Sequence, residues 1–179
     1  MSQINYYRRS QQIVHWLMAL LTFGLFGVGF WMVDLTYYSA WYQTAPHWHQ
    51  SIGILLAGLW LLRIAVNRHE GKPATLSTHS PVEVITATVV HFLLYGLLVL
   101  LFVSGYLIST ADGRAIDVFN WFSIPGAGEL FAHQADIAGE VHEYTAYCLM
   151  ALAFLHALGA MKHHFIDKDP TLKRMLGRE

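Results

Sequence analysis

Residues 138–161 read A-G-E-V-H-E-Y-T-A-Y-C-L-M-A-L-A-F-L-H-A-L-G-A-M, with His142 near the start and His156 near the end. A membrane-crossing helix needs about 20 mainly apolar residues to cover a hydrocarbon core of about 30 Å, and this stretch meets that length. At about 1.5 Å and 100° per residue, the fourteen-residue offset puts the two histidines about 21 Å apart along the axis and about 40° apart around it. One face of one helix therefore offers two imidazoles at two depths.

Three more stretches pass the same length test, roughly 12–33, 47–67 and 82–109. The loops between them are Leu35–Pro46, Asn67–Pro81 and a longer one, Ala111–Ile137. The expected fold is all-α, a four-helix transmembrane bundle, with residues 1–179 as one integral membrane domain. Composition agrees: 55% of the 179 residues are hydrophobic and only 13% are charged, about half the charge of a water-soluble chain. A net charge of −1 supplies no basic field for nucleic acid. Arg8-Arg9 before an apolar run resembles an export signal, but no small-residue cleavage site follows, so the run reads as an uncleaved first span. Gly24, Gly27 and Gly29 in that span suit close approach of a helix or cofactor.

Basic residues orient the spans. With four crossings, one side holds both termini and Arg8, Arg9, Arg63, Arg68, Lys72, Lys162, Lys168, Lys173, Arg174 and Arg178, while Arg114 alone falls on the other. By the positive-inside rule the termini are expected in the cytoplasm. Trp31, Trp41 and Trp48 gather at the opposite face, as an aromatic belt does. That outer side has one cation and seven acids, formally −6; the inner side, with ten cations and five acids, is +5.

Histidine is the anomaly, eleven residues in a chain that avoids ionisable groups. An imidazole inside a span is costly unless it has a partner, and so marks function. His15 lies six residues inside Arg9 and His156 six before Lys162, which places both about 9 Å below the charged boundary. His49, three residues past Pro46, matches the depth of His142. The result is two levels, each with a pair of histidines, the arrangement needed for two bis-histidine b haems inside a helix bundle. Cys148 is the lone cysteine, which excludes an internal disulfide, a thiolate-held cluster and C-x-x-C-H haem attachment. His15 with His156 and His49 with His142 are the expected pairs. His47 rivals His49, about 200° away on the helix, so only one of them faces the core.

Other chemistries lack their patterns. His142-Glu143 is followed by Ala146 where a zinc protease needs its second histidine, and no Glu-x-x-His pair serves a di-iron bundle. Multiple His boxes and broken-helix transporter signals are also missing.

Six segments together resemble the bacterial cytochrome b561 family: V-H-W at His15, H-Q-S-I-G at His49, W-L-L-R through Arg63, V-H-E at His142, L-H-A at His156 and K-H-H-F-I-D-K-D from Lys162. The resemblance runs nearly end to end, and the four histidines match the family's haem ligands. It implies an inner-membrane dihaem b cytochrome that exchanges electrons with ubiquinone, in a family where superoxide oxidation is known. It also suggests a quinone site near His163 and His164, where imidazole could donate a hydrogen bond and a proton to a carbonyl headgroup; the alternative is interfacial residues favoured by the helix dipole. Arg63, fourteen residues after His49, reaches the inner level either as a haem propionate partner or as a snorkelling arginine. His91, deep in the third span, is expected in the pocket or the packing. At the outer face two donors compete, superoxide and a periplasmic redox protein, the latter making the chain an electron-carrier or membrane-anchor subunit. A −6 face disfavours steering of an anion.

Overall fold

The computed structural model describes residues 6–177; Arg178, counted above among the basic residues, lies outside them. The element order is α1 (Arg9–Met32), α2 (Thr44–Glu70), α3 (Pro81–Thr110), β1 (Ile116–Val118), β2 (Phe122–Ile124), α4 (Gln134–Phe165) and α5 (Thr171–Leu176). The four long helices are each long and apolar enough to cross a membrane; α2, α3 and α4 contain the expected spans, and α1 matches the first but ends one residue sooner, at Met32. Most of their surface is open, as expected for helices whose solvent is lipid.

Helix ends follow local chemistry. Ser80 caps α3 through a hydrogen bond accepted from Glu83 N–H, Pro81 occupies the first turn, and the Glu83 side chain accepts from the Ser80 N–H. At the end of α2, Gly71 takes a φ of 75° that suits a residue without Cβ.

The helices form two antiparallel hairpins. α1 packs extensively on α2 and α3 on α4, whereas α2 meets α3 far less. A buried glutamine staples each hairpin. Gln11, near the start of α1, donates to Asn67 Oδ1 at 3.1 Å and to the Gly71 carbonyl at 2.8 Å, and accepts the Arg8 N–H at 2.9 Å. Gln134, at the start of α4, donates to the carbonyls of Leu107 (2.9 Å) and Gly128 (3.3 Å) and accepts the Leu130 N–H at 2.7 Å. In both cases a side-chain amide satisfies backbone groups that lipid could not. Between the hairpins, Val14, Met18, Leu56, Leu98 and Leu149 form the buried apolar cluster. Leu149 stands seven residues from both His142 and His156, so the apolar plug lies midway between the two histidine levels.

Two elements depart from the expected four helices and loops. The long third loop contains a β-hairpin in which Ile116 pairs with Ile124 and Val118 with Phe122. Its tip carries Phe119 and Asn120 at φ 48° and 58°. The hairpin docks on α2 because Ser51, fully buried, donates to the Asp117 carbonyl (3.3 Å) and accepts the Phe119 N–H (3.2 Å). Strands of three residues leave almost no periodicity to read. The second addition, α5, lies across the end of the bundle that carries the N-terminus. There Trp16 Nε1 donates to the Met175 carbonyl at 3.1 Å and Arg174 Nη1 to the Ala74 carbonyl at 2.7 Å.

Replacing Gln11 or Gln134 with Leu leaves several buried backbone groups unpartnered, at a cost of about 1–3 kcal/mol each. Thermal unfolding of either variant in detergent should begin several degrees below wild type; equal midpoints would show that the staples contribute nothing.

Candidate functional site

The two levels of histidine are present, and each bridges the two hairpins. At the basic end, which carries Arg8, Arg9 and Lys162, His15 of α1 faces His156 of α4 with ring centroids 6.4 Å apart and planes at 81°. At the acidic end, His49 of α2 faces His142 of α4 at 6.2 Å and 69°. His47 turns away to meet Phe119 at 6.3 Å, so of the two rivals it is His49 that points at His142. All four rings are half-buried.

Backbone design seats the acidic pair. A Cβ on Gly29 would lie 3.2 Å from His49 Cε1, and one on Gly105 would lie 3.2 Å from His142 Cε1. Each imidazole therefore rests against a helix that has no side chain at that point. Each also lies beside the carbonyl one turn earlier on that helix, Leu25 for His49 and Leu101 for His142. Ser104 Oγ donates to the Leu100 carbonyl at 2.7 Å and stands 3.0 Å from His142 Nδ1. With its own proton spent on Leu100, the hydroxyl accepts from Nδ1–H, which leaves Nε2 as the free lone pair. His49 Nδ1 is buried and closes no hydrogen bond of good geometry. Gly24 and Gly27, grouped with Gly29 on sequence, have no protein atom within 4 Å of such a Cβ.

The spacing tests what could sit between the rings. An imidazole nitrogen lies about 2 Å from a coordinated metal, and the ring centroid about 1 Å behind that nitrogen, so rings on opposite faces of one iron have centroids about 6 Å apart. Both pairs match that spacing. His91 is the contrast: its ring is 5.0 Å from that of His156, too close to admit an iron between them. Its Nδ1 donates to the Ala87 carbonyl at 2.6 Å, which fixes the ring beside the basic-end pair.

Arg63 does not snorkel freely. Its Nε donates to the Tyr95 hydroxyl at 2.7 Å, and Asn67 Nδ2 approaches the same hydroxyl at 3.4 Å. Its Nη1 is buried without a partner among the described residues. A guanidinium nitrogen buried in that state fits an anionic oxygen that those residues do not supply, and a haem propionate is such a group. Tyr95 escaped the sequence reading because a tyrosine in an apolar span carries no signal until its partner is known.

At the basic end His163 and His164 part company. His163 Nδ1 lies 2.9 Å from Asp169 Oδ2 and 2.9 Å from Asp167 Oδ2, whereas His164 packs edge-on against Phe165 at 4.8 Å. His79, which the sequence left without a role, joins the same Asp169 oxygen at 3.0 Å. Burial of Asp169 opposes its ionisation, yet hydrogen bonds from Thr171 and His79, with His163 beside them, hold its carboxyl down at about 2. Its stabilising contribution is thus complete above the ordinary aspartate value of about 4 and is lost only as pH falls through about 2.

At the acidic end Arg114 donates to Asp112 at 2.6 Å from Nε, and Nη2 approaches the same oxygen at 2.5 Å. That bond holds the Asp112 carboxyl below the usual range. Aromatic rings gather there in two groups: Trp31 meets Trp41 edge-on at 6.1 Å, and Phe119 lies beside both Trp48 and Trp121.

The family profile described as prokaryotic cytochrome b561 matches residues 6–178. The chain belongs to the prokaryotic cytochrome b561 family. It is 46% identical over 164 residues to cytochrome b561 homolog 2 of Escherichia coli K12, covering 92% of this chain and 87% of that one. It is 28% identical over 171 residues to the probable superoxide oxidase CybB of Yersinia pestis, covering 93% of each. Cytochrome b561 homolog 1 of Escherichia coli K12 matches at 23% over 178 residues, 98% of this chain and 99% of that one. Membership makes the protein a membrane electron-transfer cytochrome with b-type haem. The four apolar helices and bacterial relatives make it a multi-pass protein of the bacterial inner membrane.

The glycine seats give a direct test. Gly29→Val or Gly105→Val should push His49 or His142 aside and lower the reduced α-band absorbance per chain, while Gly24→Ala should leave it unchanged. Normal absorbance in both valine variants would show that the rings are not seated as described.

Proposed function

We propose that this b561-family cytochrome carries electrons across the membrane between two b haems, exchanging them with ubiquinone at the basic end. The observation that carries this reading is the pair of imidazole–imidazole gaps, 6.4 Å for His15 with His156 and 6.2 Å for His49 with His142, each the width of one iron. The four histidines would hold the two haems, His15 with His156 at one level and His49 with His142 at the other. Bound haem supplies a one-electron couple at each level, tuned by its ligands and by burial.

The rest falls to the chain's own groups. Ser104 on Nδ1 of His142 would leave its Nε2 to a metal, and the bare backbone at Gly29 and Gly105 seats the two acidic-end rings. Arg63, steadied by Tyr95, offers its free Nη1 to a propionate of the basic-end haem. The apolar plug around Leu56 and Leu149 keeps water from the path between the levels. His163 and His164, at the end of α4, are the groups placed to hydrogen-bond a quinone carbonyl and to supply its proton.

The basic end faces the cytoplasm in this reading, in accord with the positive-inside rule, and the whole chain acts as one domain. The acidic end then meets the donor. A relative named as a probable superoxide oxidase makes superoxide one candidate, but Arg114, the single cation of that face, is occupied by Asp112. A surface with a formal charge of −6, on which the one cation sits beside an acid, attracts a basic periplasmic redox protein more than an anion. The second reading, an electron-carrier subunit serving such a partner, rests on that pairing.

Potentiometric titration of the wild type should resolve two b components, with His49→Ala removing one and His15→Ala the other. Loss of the same component in both variants would overturn the assignment of pairs. For the donor, superoxide should reduce the haems poorly, and Arg114→Ala should change that rate little. Rapid reduction that collapses in Arg114→Ala and falls steeply with salt would instead establish anion steering.

A further inference from the structure

Three segments that share no helix meet at the basic end. His79 sits in the turn before α3, His163 in the last turn of α4, and Asp169 between α4 and α5. His79 Nε2 and His163 Nδ1 converge on a single oxygen, Asp169 Oδ2, at 3.0 and 2.9 Å, and the two rings lie 4.7 Å apart at 41°. The other carboxylate oxygen accepts the Thr171 N–H at 2.8 Å. Asp169 is buried at 7% exposure, and the three potential ligand atoms all lie within 4.8 Å of one another.

We propose that His79, His163 and Asp169 form a binding site for a divalent transition-metal ion, with zinc the best suited. Two imidazoles and one carboxylate are a zinc donor set; magnesium and calcium prefer oxygen ligands throughout. Bonds of about 2 Å in tetrahedral array set ligand atoms about 3.3 Å apart, so the two nitrogen–oxygen contacts open by a few tenths of an ångström to admit the ion, and the two nitrogens already lie within 4.8 Å of each other. The Thr171 N–H on Asp169 is the outer hydrogen bond that fixes a ligating carboxylate. Asp167, whose Oδ2 is 2.9 Å from His163 Nδ1, stands ready as a fourth ligand. Taking it releases Lys162, which keeps its bond to Glu83; otherwise water completes the shell. Fastening α5 to the loop before α3 needs one imidazole on Asp169. The second ring on the same oxygen is what a metal requires and a latch does not.

A bound ion ties the second loop, α4 and α5 together and withdraws His163 from any quinone. This last consequence rests on the quinone reading above; the metal site does not.

The test uses haem-loaded protein in detergent, freed of any histidine tag and washed with chelator, dialysed against Zn²⁺. One ion should bind per chain at micromolar or lower concentration and resist excess Mg²⁺. His79→Gln and Asp169→Asn should each weaken binding at least about tenfold, while His69→Gln, on the same end but outside the cluster, should not. The haem spectrum checks that each variant is folded. If Asp169→Asn fails that check, His79→Gln, in a surface turn, decides. Absence of binding by the wild type, or equal binding by His79→Gln, overturns the site. The quinone reading is tested separately by the rate at which a ubiquinone analogue oxidises the reduced haems with and without Zn²⁺. Stoichiometric binding with an unchanged rate upholds the metal site and removes His163 from the quinone site.

Discussion

An imidazole in hydrocarbon is costly unless something takes up its polar nitrogens, and this constraint shapes the molecule. His15, His49, His142 and His156 each come from a helix that crosses lipid, and each faces a ring on the other hairpin across a gap of 6.2 or 6.4 Å. That distance is too long for a hydrogen bond between rings and right for one metal ion between them. In the proposed reading iron closes both gaps. It then also joins hairpins whose direct contact is small, so that haem is part of what holds the bundle as well as its redox centre.

The two hairpins solve the same problems twice. Gln11 satisfies backbone groups at the open end of the first hairpin, and Gln134 does so at the looped end of the second. Gly29 on α1 and Gly105 on α3 each give an imidazole from the neighbouring helix a flat place to rest. What differs is the ligand supply: α4 contributes to both levels, while α1 and α2 contribute to one each. His91 on α3 stays 5.0 Å from His156, where it can support the basic-end pair but not share its metal.

Much of this was legible in residue spacing. Span length gave the bundle, and the fourteen-residue offset on α4 gave two levels, because helical rise and twist act on any sequence. The choice between His47 and His49 needed the packing of Phe119, which comes from a hairpin too short to show a pattern. The partner of Arg63 and the meeting of His79 with His163 and Asp169 depend on contacts between residues 32, 90 and 6 positions apart. Such pairs have no local periodicity and become visible only once the loops are placed. The acidic face was readable as a charge count, but the neutralisation of Arg114 by Asp112 was not.

Charge and chemistry are divided between the ends. The acidic end presents aromatic rings and carboxylates around the His49–His142 pair, and the basic end gathers the histidines and lysines suited to a quinone and, in our inference, to a metal ion. The electron-transfer reading depends on there being two iron positions; the metal site does not. The most direct measurement is an anomalous difference map at the iron edge from crystals of the haem-loaded protein. The account predicts two peaks, one between His15 and His156 and one between His49 and His142. A single peak, or one bound by His91 or His47, would contradict it.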